Sequence, residues 1–129
     1  MKIFKNAWFD RFARKQKIAD AALIDAVQRA ENGQIDADLG GGVVKQRVAR
    51  SGQGKSGGYR TIIFYRKGQR AFFIYGFAKN ERDNINDDEK SAFKKAARHV
   101  LELSEDHLFK LIERGQFIEV RQDAEEIPE

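Results

Sequence analysis

Helical periodicity at both ends of the chain, with glycine-punctuated, alternating apolar runs between them, predicts a small α+β domain. The expected order is two N-terminal helices, an antiparallel sheet of three to four strands, then C-terminal helices. The size agrees: 129 residues, 41% apolar and including 10 phenylalanines, suffice for one modest core. One domain is expected over residues 1–121. From Gln122 to Glu129 the chain is acidic, holds the only proline and reads as a disordered tail.

Trp8, Phe9, Phe12 and Ala13 fall at i, i+1, i+4 and i+5, one stripe of a first helix. Asp20 is placed to cap a second, whose Leu23, Ala26, Val27 and Ala30 share a face and which Asn32-Gly33 ends. Both helices read as scaffold. Gln34 to Gly42, closing on three glycines, reads as a loop. Strands are expected from Val43 to about Arg50, from Tyr59 to Tyr65 and from Ala71 to Phe77, with a hairpin turn at Lys67-Gly68. Lys2-Ile3-Phe4 is a candidate extra edge strand. Ser51 to Gly58 reads as a flexible loop, and its Gly54-Lys55-Ser56 step superficially suggests a phosphate cradle. That reading fails, because Ala49 stands where the earlier glycine is needed and a strand follows instead of a helix. Asn86 and Glu89 form a capping box at the start of an amphipathic helix carrying Phe93, Ala96, Ala97, Val100, Leu101 and Leu103. Ser104 caps a short helix with Leu108, Leu111 and Ile112 that ends at Gly115.

The absence of cysteine excludes a disulfide framework, thiol catalysis and a thiolate metal site. No apolar run approaches the roughly 20 residues a membrane helix needs, and the N-terminus lacks a secretory signal. The expectation is a soluble cytoplasmic chain without membrane contact. Its net charge of +4 is strongly segregated. Residues 43–82 carry ten basic side chains against Glu81 alone, whereas residues 83–129 carry seven basic and thirteen acidic ones. A solvated sheet face with lysines guarding its edges would explain part of this. A polyanion site explains it better, since Tyr59, Tyr65 and Tyr75 are interleaved with the cations and suit base stacking.

Alternate side chains of a strand share a face, so Lys45 and Arg47 point the same way. Arg60 opens the next strand, and Lys79 and Asn80 end the third. Cations from three adjacent strands are thus expected to converge. RNA cleavage without a metal needs a base for the 2′-hydroxyl, cations for the phosphorane-like transition state and an acid for the 5′-oxygen. Neighbouring cations would lower the pKa of a lysine, which makes Lys45 the candidate base. Arg60 is the candidate phosphate clamp, and Arg47 a second clamp or proton donor. The plainer alternative is that all three only hold an RNA backbone. His99 and His107, eight apart on the C-terminal helices, suit surface or cap positions better than catalysis or metal binding. No metal site and no cofactor are expected.

Three segments carry a family pattern: Leu39 to Arg50, Gly52 to Arg60 and Phe73 to Glu81. Together they resemble the RelE/HigB-type toxins of type II toxin–antitoxin systems, closest to a HigB-like branch with a Gly-x-Gly-Lys-x-Gly-Gly-x-Arg loop. The resemblance covers roughly residues 1–100. It implies a microbial-ribonuclease-like fold and metal-free cleavage of mRNA in the ribosomal A site, leaving a 2′,3′-cyclic phosphate. It also implies a cognate antitoxin, expected to be a helix-turn-helix protein through which operator DNA is bound indirectly. By position, Lys45 and Arg47 match the family's paired basic residues, Arg60 its Gly-Tyr-Arg arginine and Lys79 the lysine of its Lys-x-Glu corner, which makes these four the expected catalytic residues. Arg50, Lys55, Tyr59, Tyr65, Asn80 and Arg82 are the further expected RNA contacts. Some relatives have an arginine where Asn80 stands and a catalytic tyrosine near Asn86; neither is present here, and Arg82 or Tyr65 could substitute as proton donor beside Arg47. The stretch from about Ser104 lies beyond the resemblance. Two other functions stay open: a gyrase-poisoning toxin of the same superfamily, and a non-catalytic RNA-binding module.

Overall fold

The computed structural model describes residues 1–50 and 54–121. The elements run β1 (Lys2–Asn6), α1 (Ala7–Gln16), α2 (Asp20–Glu31), β2 (Ala37–Gly40), β3 (Val43–Arg50), β4 (Gly54–Arg66), β5 (Arg70–Ala78), α3 (Asp87–Leu101), α4 (Glu105–Glu113) and β6 (Phe117–Val120). The α+β class and the placing of helices at both ends match expectation, but the sheet has six strands and is mixed. Its order is β2-β3-β4-β5-β1-β6. β1 runs parallel to β5, and the other pairs are antiparallel.

Each departure has a physical cause. β1 is an interior strand between β5 and β6, not an edge. Its Ile3 and Phe4 are both 1% exposed because they enter different cores, so a strand buried on both faces shows no alternation in sequence. The expected Gln34–Gly42 loop contains β2, which pairs with β3 through its backbone and carries no apolar pattern. Gly42 is required there: at φ 83° a Cβ would stand 2.5 Å from Leu101 Cδ1. Asp20 is the first helical residue, not the cap; Ala19 precedes it without a side-chain bond, and the Asp20 carboxylate accepts from Lys5 Nζ at 3.5 Å. β6 is too short to read from four residues, yet it closes the sheet against β1. β4 begins at Gly54, so the backbone of the expected Ser51–Gly58 loop becomes strand there, while residues 51–53 lie outside the described residues. The tail, residues 122–129, lies outside them as well.

The Asn86–Glu89 capping box is present, with Phe93, Ala97 and Leu101 on the packed side of α3. Ser104 caps α4, its hydroxyl accepting from His107 N at 3.1 Å. Helices cover both faces of the sheet. Phe9, Leu23, Val27, Ile63 and Phe73 pack under α1 and α2. Phe4, Ile62, Phe64, Phe72, Leu101 and Leu108 pack under α3 and α4. The run Ile62-Ile63-Phe64-Tyr65 therefore feeds the two cores alternately, which explains why every member is apolar or aromatic.

Gln46, Thr61 and Lys5 are the polar side chains buried among the described residues. Gln46 is 0% exposed; its amide nitrogen donates to Ala26 O (2.9 Å) and Gln34 O (3.1 Å), and its oxygen accepts from Asp36 N (2.9 Å). It ties β3 to α2 and to the segment entering β2. Gln46→Leu keeps the volume but strips partners from three backbone groups, so a loss of about 2–4 kcal/mol is expected in urea unfolding. An unchanged midpoint would show that water satisfies those groups equally well.

Candidate functional site

The site is built by the register of β3 on β4. Arg47 lies directly opposite Arg60, and Lys45 opposite Ile62. Residues paired across antiparallel strands share a face, so Lys45, Arg47 and Arg60 project together on the α3 side of the sheet. Phe77 and Tyr75 of β5 pair with Arg60 and Ile62 and continue the same face. Two like charges directly opposite are destabilising. Among the described residues none of the three side chains forms an ion pair, and the nearby Asp36 carboxylate accepts from the Arg47 backbone N–H at 2.7 Å. Arg47 is exposed. Arg60 is half-buried, and its Nη1 is buried without a hydrogen-bond partner among the described residues. A guanidinium nitrogen so placed is an open donor for an anionic oxygen.

A polar chain borders this cluster. Lys45 Nζ donates to Asn84 Oδ1 at 3.2 Å. Arg82 donates from Nε to Asn84 O (2.9 Å), from Nη1 to the Tyr75 hydroxyl (3.0 Å) and from Nη2 to Glu89. Its guanidinium also stands 5.8 Å from the ring centroids of Tyr75 and Phe77. The Glu89 bond, then that to Tyr75, raises the Arg82 pKa above its ordinary value. Arg82, then the Asn86 N–H, holds Glu89 below the usual carboxylate range. Glu89 thus serves twice, closing the capping box and fixing Arg82.

The remaining expected site residues divide. Lys79 and Asn80 are exposed in the turn after β5. The side chains of Arg50 and Lys55 lie outside the described residues. Tyr59 and Tyr65 are corrections. Tyr59 is 1% exposed, meets Phe12 edge-on and donates its hydroxyl to Gln16 at 3.0 Å. Tyr65 is 9% exposed and donates to Glu31 of α2. Both face the opposite core, since the alternation that turns Arg60 outward turns Tyr59 inward, and neither can stack on a base from there. Burial, then Glu31, pushes the Tyr65 phenol pKa upward, which also removes it as a proton donor. Tyr75 is the tyrosine that reaches the cationic face. Asn84 and the second role of Glu89 were invisible in sequence, because Asn84 meets Lys45 across 39 positions.

Not all of the basic segment serves this site. Arg66 Nη1 donates to the carbonyl of Leu101 (3.0 Å), the last residue of α3, and Arg70 Nη1 to Leu103 O (2.6 Å) in the connection to α4. His99 and His107 are exposed on α3 and α4. Among the described residues, no helix is long and apolar enough to cross a membrane.

A family model described as the RelE toxin of the RelE / RelB toxin-antitoxin system matches residues 1–120, and so includes α4 and β6. No curated protein matches.

The opposite-face position of Tyr65 makes a separable prediction. Its hydrogen bond is the largest cause lowering the Glu31 pKa from the ordinary 4.5. A lowered folded-state value means stability present above pH 4.5 and lost as pH falls through the folded value. Tyr65→Phe should therefore cost about 1 kcal/mol at neutral pH, with the gap to the parent closing in acid. Urea unfolding across pH measures this, and RNA affinity should not change. A gap that widens in acid would contradict the assignment.

Proposed function

This chain belongs to the RelE toxin family, and from that membership we propose that it is a ribosome-dependent, metal-independent mRNA endonuclease that inhibits translation. The observation that carries the reading is the Arg47–Arg60 pair, two cations held opposite each other with no side-chain ion pair among the described residues, beside Lys45. A register that costs stability is retained where a site needs it. A phosphodiester seated there would relieve the repulsion and satisfy the buried Arg60 Nη1.

In the proposed reaction Lys45 accepts the 2′-hydroxyl proton, and the oxygen attacks the adjacent phosphorus. The 5′-oxygen departs with a proton taken from Arg47 or, where Arg47 only clamps, from solvent water, and leaves a 2′,3′-cyclic phosphate. Arg60 clamps the non-bridging oxygens as charge builds on them, and Arg47 is the second clamp or the proton donor. Lys79, exposed after β5, extends the cationic surface along the RNA, and Arg50, Lys55 and the neutral Asn80 are further proposed RNA contacts. Arg82 is a positioning residue: its bond to Glu89 favours the charged form and opposes proton release. Its contact with Asn84 in turn orients the Asn84 side chain that meets Lys45.

The family implies a cognate antitoxin. We take it to be a helix-turn-helix protein that lays an acidic segment over the Arg47–Arg60 face and carries the pair to operator DNA. Action on ribosomes would place the toxin in the cytoplasm.

Arg60→Ala and Lys45→Ala should each lower mRNA cleavage in a translating extract by about 10²–10³-fold, read by primer extension. Arg60→Lys and Lys45→Arg should keep RNA affinity and still lose cleavage; a module that only binds would survive both changes. Full cleavage by both alanine variants would overturn the site. Arrested supercoiling with intact mRNA would instead identify a gyrase poison.

A further inference from the structure

Trp8, the chain's single tryptophan, is 39% exposed although it contacts two aromatic rings, Phe12 and Tyr75. Its position follows from Asn6, whose Oδ1 caps α1 by accepting from Phe9 N (2.7 Å) and whose Nδ2 donates to Ile74 O (3.1 Å). Pairing of β1 with β5 stops at Lys5–Phe73, so beyond that point β5 has no strand on its β1 side, and α1 lies along it there instead. Trp8 stacks on Phe12 with centroids 5.2 Å apart and meets Tyr75 at 4.8 Å. Gly76 permits this approach, since a Cβ there would stand 2.7 Å from the Phe12 ring.

The result is a cleft of about 450 Å³ walled by Trp8, Phe12, Tyr75 and Phe77, with Arg11, Lys15 and Arg82 on its rim. Glu81 is the one carboxylate among its described lining residues. A purely structural aromatic cluster would be closed to solvent. This one is open, cationic at its rim and continuous with the phosphate-binding face, because Phe77 pairs with Arg60 and Arg82 touches both Tyr75 and Asn84. Adjacent strands lie about 4.8 Å apart, so the β5 wall is one strand from Arg60 and two from Lys45. Aromatic walls with cationic rims are what an unpaired nucleobase and its phosphate need.

We propose that the Trp8–Tyr75 cleft seats one nucleobase of the RNA strand whose phosphate lies on Arg47 and Arg60, next to the cleavage point. This assignment rests on the nuclease reading. It makes Trp8 and Tyr75 specificity-determining residues, with Arg11 and Lys15 holding the flanking backbone.

Trp8 reports on its own site. Titrating the full chain with a short, uncleavable 2′-O-methyl oligonucleotide at low salt should give saturable quenching of its fluorescence. An abasic residue at one position of the oligonucleotide should abolish the quench, while abasic residues elsewhere leave it. Trp8→Ala should weaken binding of a dye-labelled oligonucleotide roughly tenfold and relax the base preference at one position beside the cut in translating extract. Arg11→Ala with Lys15→Ala, both exposed and away from the proposed chemistry, should weaken binding and flatten its salt dependence. Binding without quenching, or an unaltered cleavage pattern for Trp8→Ala in an extract where the parent cuts, would overturn the cleft and leave the nuclease standing. No cleavage by the parent would instead count against the nuclease reading on which the cleft depends.

Discussion

The register of β3 on β4 governs the rest of this molecule. Side chains on a strand alternate, so a slip of one residue would carry Lys45 and Arg47 to the α2 side and send Gln46 into solvent. Gln46 opposes such a slip from the buried side. Its amide is saturated by Ala26, Gln34 and Asp36, and its carbonyl accepts from the Thr61 hydroxyl at 2.8 Å. Val44 and Val48 flank it in the same core. A hydrogen-bonded amide and two valines on one face thereby hold two arginines against each other on the other.

The pairing of faces also explains how a cationic cluster exists in a protein of this size. α3 covers Val43, Ile62, Phe64 and Phe72 and leaves the neighbouring Lys45, Arg47 and Arg60 uncovered or half-covered. The carboxylates of the first turn of α3 are nearby, but Glu89 is engaged by Arg82 and by the Asn86 N–H. Arg82 therefore occupies the Glu89 carboxylate, with its guanidinium over the Tyr75 and Phe77 rings, 5.8 Å from each centroid. Farther along the same basic segment, Arg66 and Arg70 are absorbed by carbonyls at the end of α3 and in the connection to α4. Charge density in sequence thus overstates charge density at the site.

Local signals were legible wherever a few adjacent residues decide the structure. The Asn86–Glu89 box, the Ser104 cap and the glycines after α2 and α4 work within one helical turn, and they stand where the pattern placed them. The facing of Lys45 with Arg47 follows from strand alternation. Tyr59 and Tyr65 were misread because composition shows that aromatics accompany cations but not which side of a sheet each occupies. β1 was expected at the sheet edge and lies inside it, and β2 and β6 escaped, because strands this short, buried on both faces or paired only through backbone, carry no period.

By itself, the sequence determined the α+β class, the helix boundaries set by caps, the three central strands and the residue types able to grip a phosphate. All of these depend on neighbours within a few positions. Only the tertiary structure decided that Arg47 meets Arg60, that Asn84 meets Lys45, and that Trp8 lies against Tyr75. Those contacts join residues 13, 39 and 67 positions apart, and they follow from sheet register and helix docking, energies summed over many side chains. No short stretch of chain contains that sum.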